Sequence, residues 1–200
     1  MPMPSPILPA WARRARHAVL ALPLALALLA CSPRYDWRTV QSNEGAYAAL
    51  YPAKPSSAAR QVTIAGRRLP MTMDAARVDD TLFAVGVVTL PADDARLRQE
   101  AIEAMQAGLA ANVGAAAAEP VHTREVTVMS AGNPALPLPA TEVRATGVSG
   151  EDRTPRRMTA WLVGRGTRVY QAVVLESGDT ARDDRLREQI EQFLAGFHPF

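Results

Sequence analysis

The chain has 200 residues, with 22 basic and 20 acidic side chains and a formal charge of +2. Charge this close to balance excludes a polybasic nucleic-acid binder as a compositional class, and a lone cysteine excludes an intrachain disulfide framework. Hydrophobic residues make up 48% of the chain but aromatics only 6%, so the core has to be built mainly from Val, Leu, Ile, Met and Ala.

Residues 1–30 contain Arg13, Arg14 and Arg16 and no acid, and then an apolar run from Ala18 to Ala30. As a helix that run reaches about 20 Å, against about 30 Å of hydrocarbon, so it is too short to span a membrane. Pro23 weakens it further. The run closes on Leu28, Leu29, Ala30 and Cys31: an aliphatic residue, then a small residue directly before the cysteine. A positive segment, a short apolar segment and a small residue at the cut form the layout of a signal peptide. This one resembles a bacterial lipobox. The resemblance implies cleavage before Cys31 and lipidation of Cys31, with each buried methylene contributing about 0.8 kcal/mol to anchoring. Ser32, rather than an aspartate, follows the cysteine, which resembles the outer-membrane-sorted class. The expected organisation is a lipoprotein signal peptide over 1–30, a lipidated tether over 31–36 and one α+β domain over 37–200. Cleavage removes three of the 22 bases and leaves 19 against 20 acids, so the basic excess belongs to the removed segment. Nucleic acid is therefore not an expected partner.

The domain begins with a strand over Trp37–Val40 and a second over Gly45–Tyr51, ended by the turn Pro52-Ala-Lys-Pro55, where two prolines remove ladder donors. Ala59–Ile64 is β-branched, Ala65 and Gly66 form a turn, and Leu69, Met71, Met73 and Ala75 alternate with polar residues, which predicts a hairpin. Leu82–Leu90 is apolar on both faces and reads as a central strand covered on both sides. Pro91 ends it. Asp93 is the expected cap of a helix over about Asp94–Val113, whose apolar positions are Leu97 or Ala101, Ile102, Met105, Leu109 and Val113. Gly108 and Gly114 weaken its end.

Thr123–Met129 reads as a strand and Gly132–Pro139 as a proline-rich loop. Ala140–Val148, Arg156–Gly164 and Thr167–Glu176 read as three strands joined by hairpin turns at Gly150–Arg153 and at Arg165-Gly166. A last helix is expected from about Ala181, with Leu186, Ile190, Phe193, Leu194 and Phe197 in one stripe. Tight turns make successive strands antiparallel, and amphipathic helices must cover apolar sheet. The fold class is α+β: an antiparallel β-sheet of about six to eight strands with two amphipathic helices packed on it.

Several short motifs occur in order: Tyr47-x-x-Leu-Tyr-Pro-Ala-Lys-Pro55, the double hairpin, the helix from Asp94, the Leu136-Pro-Leu-Pro139 bend, Arg168-Val-Tyr-Gln-Ala-Val-Val174 and Gln192-Phe-Leu-Ala-Gly-Phe197. In this order they resemble the small PsbP-like envelope lipoproteins. The bend before the last strands is proline-rich here, where the family often has glycine. The resemblance implies an αβα sandwich around an antiparallel sheet, and binding or assembly work rather than catalysis.

The residues themselves suggest no enzyme. After cleavage the histidines are His122 and His198, too few for a zinc set, so neither a metal nor a cofactor is expected. Asp93-Asp94 and Asp183-Asp184 stand at helix starts, where carboxylates cap free N–H groups. Neighbours in Asp79-Asp80 point apart, which disfavours an acid/base dyad. Gly147, Val148, Ser149 and Gly150 lack the spacing of a nucleophile elbow. Among the arginines of the last meander, Arg153, Arg156 and Arg157 lie about 25 Å from Arg165 and Arg168 if the strands are straight. They form the candidate contact for an anionic partner, against the alternative of a solvated rim beside Glu151, Asp152 and Glu176. The expected function is a lipid-anchored, non-catalytic binding or assembly module facing the periplasm, with an envelope protein or lipid as partner. The alternatives are a carrier of a small hydrophobic ligand and, more distantly, an unrecognised hydrolase.

Overall fold

A computed structural model describes residues 34–114, 121–149, 153–178 and 184–200. The expected signal segment 1–30, Cys31, the Ala115–Pro120 stretch, most of the Gly150–Arg153 turn and the helix start at Ala181 lie outside the described residues.

Strands β1 (Arg38–Ser42) and β2 (Tyr47–Tyr51) form an antiparallel hairpin with Arg38 opposite Tyr51. After Pro52 and Pro55 come β3 (Ser56–Ile64), β4 (Arg67–Val78) and β5 (Thr81–Thr89), a meander. Helix α1 (Ala95–Val113) leads to a second meander, β6 (His122–Met129), β7 (Pro137–Ser149), β8 (Thr154–Arg165) and β9 (Arg168–Ser177). Helix α2 (Asp184–Ala195) and a two-residue β10 (His198–Pro199) end the chain. The two meanders join where β5 pairs with β9, Thr81 opposite Glu176, giving a seven-stranded sheet in the order β3-β4-β5-β9-β8-β7-β6. All of its pairings are antiparallel.

The α+β class and the antiparallel sheet agree with the pattern read from sequence, but the expectation of one sheet needs correction. The β1–β2 hairpin stands apart from the large sheet and pairs with β10 in a three-stranded sheet of its own. The two prolines after β2 prevent that strand from running on into the meander. The proline-rich segment is also partly strand. Pro137 and Pro139 pair only with β6, because β8 joins β7 from Ala140 onward. A segment with one neighbour tolerates missing donors that a two-sided strand could not.

Alternation along the strands separates two cores. Phe83, Val85 and Val87 of β5 and Tyr170, Ala172 and Val174 of β9 face the small sheet and α2, where they meet Tyr47, Tyr51, Phe193 and Phe197. Val88 of β5 and Val169 and Val173 of β9 face α1 and pack with Leu97, Ala101, Met105, Leu109 and Val113. The apolar stripes expected in both helices are the ones buried, with Ile102 and Ile190 only partly covered, except that α2 ends at Ala195 and Phe197 is buried from the segment beyond it. Tyr35–Phe200 is thus a compact unit with its own buried apolar interior, which is what independent folding of a domain requires.

The helix α1 cap is Asp94 rather than Asp93. Its carboxylate accepts from the backbone N–H groups of Arg96 and Leu97, which hold it below the usual carboxylate range. Asp93 instead pairs with Arg98. Helix α1 runs through Gly108 and stops at Gly114, whose φ of 73° and ψ of 29° direct its N–H back to Ala110 and Ala111. A side chain is strained in that left-handed conformation, so Gly114→Ala is expected to lower stability by about 1 kcal/mol. Gly108→Ala, where an added Cβ meets nothing within 4 Å, is expected to raise it by about 0.5–1 kcal/mol. Urea midpoints of the two variants moving in the same direction would contradict this account of the helix end.

Candidate functional site

Helix α1 is too narrow for its sheet. Seven strands spaced at about 4.8 Å span about 29 Å, whereas a helix with its side chains is about 10–12 Å across. Helix α1 packs over β7, β8 and β9 and reaches β3, which leaves the β4–β5 side of that face only partly roofed. A cleft of about 430 Å³ opens there, within the range of small-molecule sites. Its floor is apolar, with Leu82 and Ala84 from β5 and Val173 and Leu175 from β9. One wall is the second half of α1, with Ala104, Met105 and Leu109; the other is Val62, Ile64, Met71 and Met73 of the β3–β4 hairpin.

Three polar side chains stand out in this lining. Gln171 is 5% exposed on an otherwise apolar stretch of β9 and lines the cleft. It lies against Gly86, its partner across the β5–β9 ladder. A Cβ at Gly86 would come within 2.7 Å of Met71 Cε and 2.9 Å of Gln171 Nε2, so the glycine makes room for both side chains. Arg60 is exposed at the rim, its Nη2 3.7 Å from Met71 Sδ. Arg156 closes the far end, with Nη1 donating to the carbonyl of Asn112 near the end of α1 at 3.1 Å. Its Nε is buried with no partner among the described residues. No aspartate or glutamate contributes to the lining, so the cleft is apolar with a positive rim.

The arginines singled out from sequence do not share a face. Arg156 and Arg157 are consecutive on a strand and so point opposite ways. Arg156 turns to the α1 side, and Arg157 to the α2 side, with Nη1 3.6 Å from Glu176 Oε2. Arg153 is exposed in the preceding turn with φ of 51°. Arg165 donates to the carbonyl of Pro199 at 3.2 Å. Cys31 and Leu28, Leu29 and Ala30 lie outside the described residues. His198 contacts the carbonyl of Met129 through Nδ1 at 2.9 Å, and His122 is opposite Arg144 on the β6–β7 pair. Asp79 and Asp80 form the β4–β5 turn, with the Asp80 carbonyl accepting from Ser177 N–H. Among the described residues no group of three or more His, Cys, Asp and Glu is placed to hold a metal ion.

Two polar clusters escaped the sequence reading. Glu142, 3% exposed, accepts from Arg124 Nε and Nη2 at 2.7 and 2.8 Å, from Arg144 Nε at 2.8 Å and from Trp161 Nε1 at 3.0 Å. On the other flank of the same face, the Tyr47 hydroxyl donates to Asp74, Tyr51 donates to the Asp74 carbonyl at 3.1 Å, and Ser57 donates to the Asp74 carboxylate. Burial pushes both phenols well above their ordinary range. Both clusters satisfy their members internally, which suits them to hold strands together. No protein-family model matches the chain, and none of the curated proteins is detectably similar to it.

Proposed function

We propose that this chain is a lipid-anchored, PsbP-like binding module of the bacterial cell envelope, tethered through Cys31, facing the periplasm at the outer membrane, and acting by non-covalent binding. Support for the anchor is the run Leu28-Leu-Ala-Cys31 behind Arg13, Arg14 and Arg16. Support for the PsbP-like αβα sandwich is the order of the short motifs, together with an antiparallel sheet that has a helix-bearing core on each face. The observation that carries the binding reading is the half-roofed apolar cleft beside α1, and its volume favours a small hydrophobic ligand over a protein partner.

The anchor is tested by fractionation. Cys31→Ser is expected to move the protein from the membrane fraction to the soluble periplasmic fraction, or to leave it as precursor. Wild-type partitioning of that variant would overturn the anchor. The cleft is tested by native mass spectrometry of Tyr35–Phe200 secreted to the periplasm behind a cleavable signal. A bound apolar molecule that Ala84→Phe eliminates is expected, since the larger side chain fills the floor. A ligand retained unchanged by Ala84→Phe would place it elsewhere.

A further inference from the structure

Resting on the cleft as a ligand site, we propose that it takes a single-chain amphiphile with an anionic headgroup, the headgroup held at the end marked by Gln171 and Arg60 and the chain laid along the floor toward Met158. The argument begins with two unfavourable choices made at one spot. Gln171 is an amide, 5% exposed, set in the cleft lining on an otherwise apolar stretch of β9. A polar side chain taken largely out of water costs more than an aliphatic one would at the same place, so a polar residue here needs a reason. Gly86 beneath it is a glycine in the interior of a central strand, where it weakens the ladder and marks a close approach. The close approach is to Gln171 itself and to the methyl of Met71. Both residues therefore maintain an amide, with its N–H donors, on the floor of an apolar cleft.

The sign of the ligand follows from the lining. Arg60 and Arg156 are its charged residues, with no acid to oppose them. An ammonium headgroup finds no counter-charge; a carboxylate finds amide donors and a guanidinium. Arg60 reaches the Gln171 end because its Nη2 touches Met71 Sδ, and the Met71 methyl and Gln171 Nε2 converge on the same Gly86 position. Arg156 stands about 20 Å away, six residues along the β8–β9 ladder, with Nη1 bonded to Asn112 and Nε without a partner among the described residues. Between the two ends the floor is aliphatic, and Met73 and Met158 supply unbranched side chains that adjust to a flexible chain.

The test is a titration of Tyr35–Phe200 with dodecanoate, dodecanol and dodecyltrimethylammonium, each below its micelle concentration. Dodecanoate is expected to bind about tenfold or more tightly than either of the others, as a hydrogen bond to a charged group is worth about that factor. Gln171→Leu and Arg60→Gln are each expected to weaken dodecanoate by about tenfold and to leave dodecanol unchanged. Gln171→Leu is also expected to melt no lower than the parent, because it replaces a polar side chain by an apolar one of similar size on an apolar floor; this separates lost recognition from lost folding. Equal affinity for the three headgroups would overturn the anionic reading and leave the cleft as an apolar site. So would undiminished dodecanoate binding by Gln171→Leu, or a loss produced by Arg156→Gln alone. Failure of all three compounds to saturate would overturn the cleft itself, independently of where Cys31→Ser fractionates.

Discussion

Phe193→Ala is expected to lower the stability of the domain by about 3–5 kcal/mol, the range for deleting a sealed aromatic ring. The ring is fully buried. It lies 5.6 Å from the ring of Tyr51 on β2 at 59° and 5.4 Å from Phe83 on β5 at 71°. These tilted and edge-on contacts add to the plain burial of apolar area. One side chain of α2 therefore ties together the helix, the small sheet and the interior strand β5 of the large sheet. The site has little scope to collapse, because the backbone is already close: a Cβ on Gly196 would lie 2.6 Å from Leu50 Cβ. For a domain of this size the loss corresponds to a fall in melting temperature of about 6–20 °C. Glu188→Ala, on the exposed face of the same helix, is expected to change stability by less than about 0.5 kcal/mol. Matching melting curves for the two variants would mean that α2 is not docked.

That docking was legible in the sequence because Leu186, Ile190, Phe193, Leu194 and Phe197 recur at the helical period. The central strand was legible for a similar reason: Phe83, Val85 and Val87 serve one core while Ala84 and Val88 serve the other. What stayed hidden depends on pairing between distant segments. Nothing local in Tyr47–Tyr51 says that its second partner is His198–Pro199, about 150 residues later. The candidate cleft has the same origin. Gln171 is visible as one polar residue in an apolar run, and Gly86 as one glycine in another, but only the β5–β9 register sets them side by side. Arg156 and Arg157 are the opposite case. Their adjacency on a predicted strand already implied opposite faces, so their separation was available from the pattern alone.

Glu142 is expected to make the fold sensitive to acid. Burial by itself pushes its carboxyl up, but hydrogen bonds from Arg124 and Trp161 and the charges of Arg144 and Arg124 outweigh burial and hold it below the ordinary value. A carboxylate depressed in the folded state contributes stability that is fully present above its unfolded value, about 4.3. That contribution is lost as pH falls through the folded value. Arg124 and Arg144 are 62% and 59% exposed, so water takes over their charges once Glu142 is replaced. The effect is therefore well below that of breaking a sealed ion pair: Glu142→Gln is expected to cost about 1–3 kcal/mol at pH 7. The Gln side chain still accepts one hydrogen bond through its carbonyl oxygen, but it has no charge to titrate. Parent and variant should therefore converge as pH drops from about 5 toward 3, the parent losing stability faster. Urea midpoints of both proteins at a series of pH values measure this directly. A gap that stays constant down to pH 3 would show that the Glu142 carboxylate does not couple the β6–β7–β8 side of the sheet to pH.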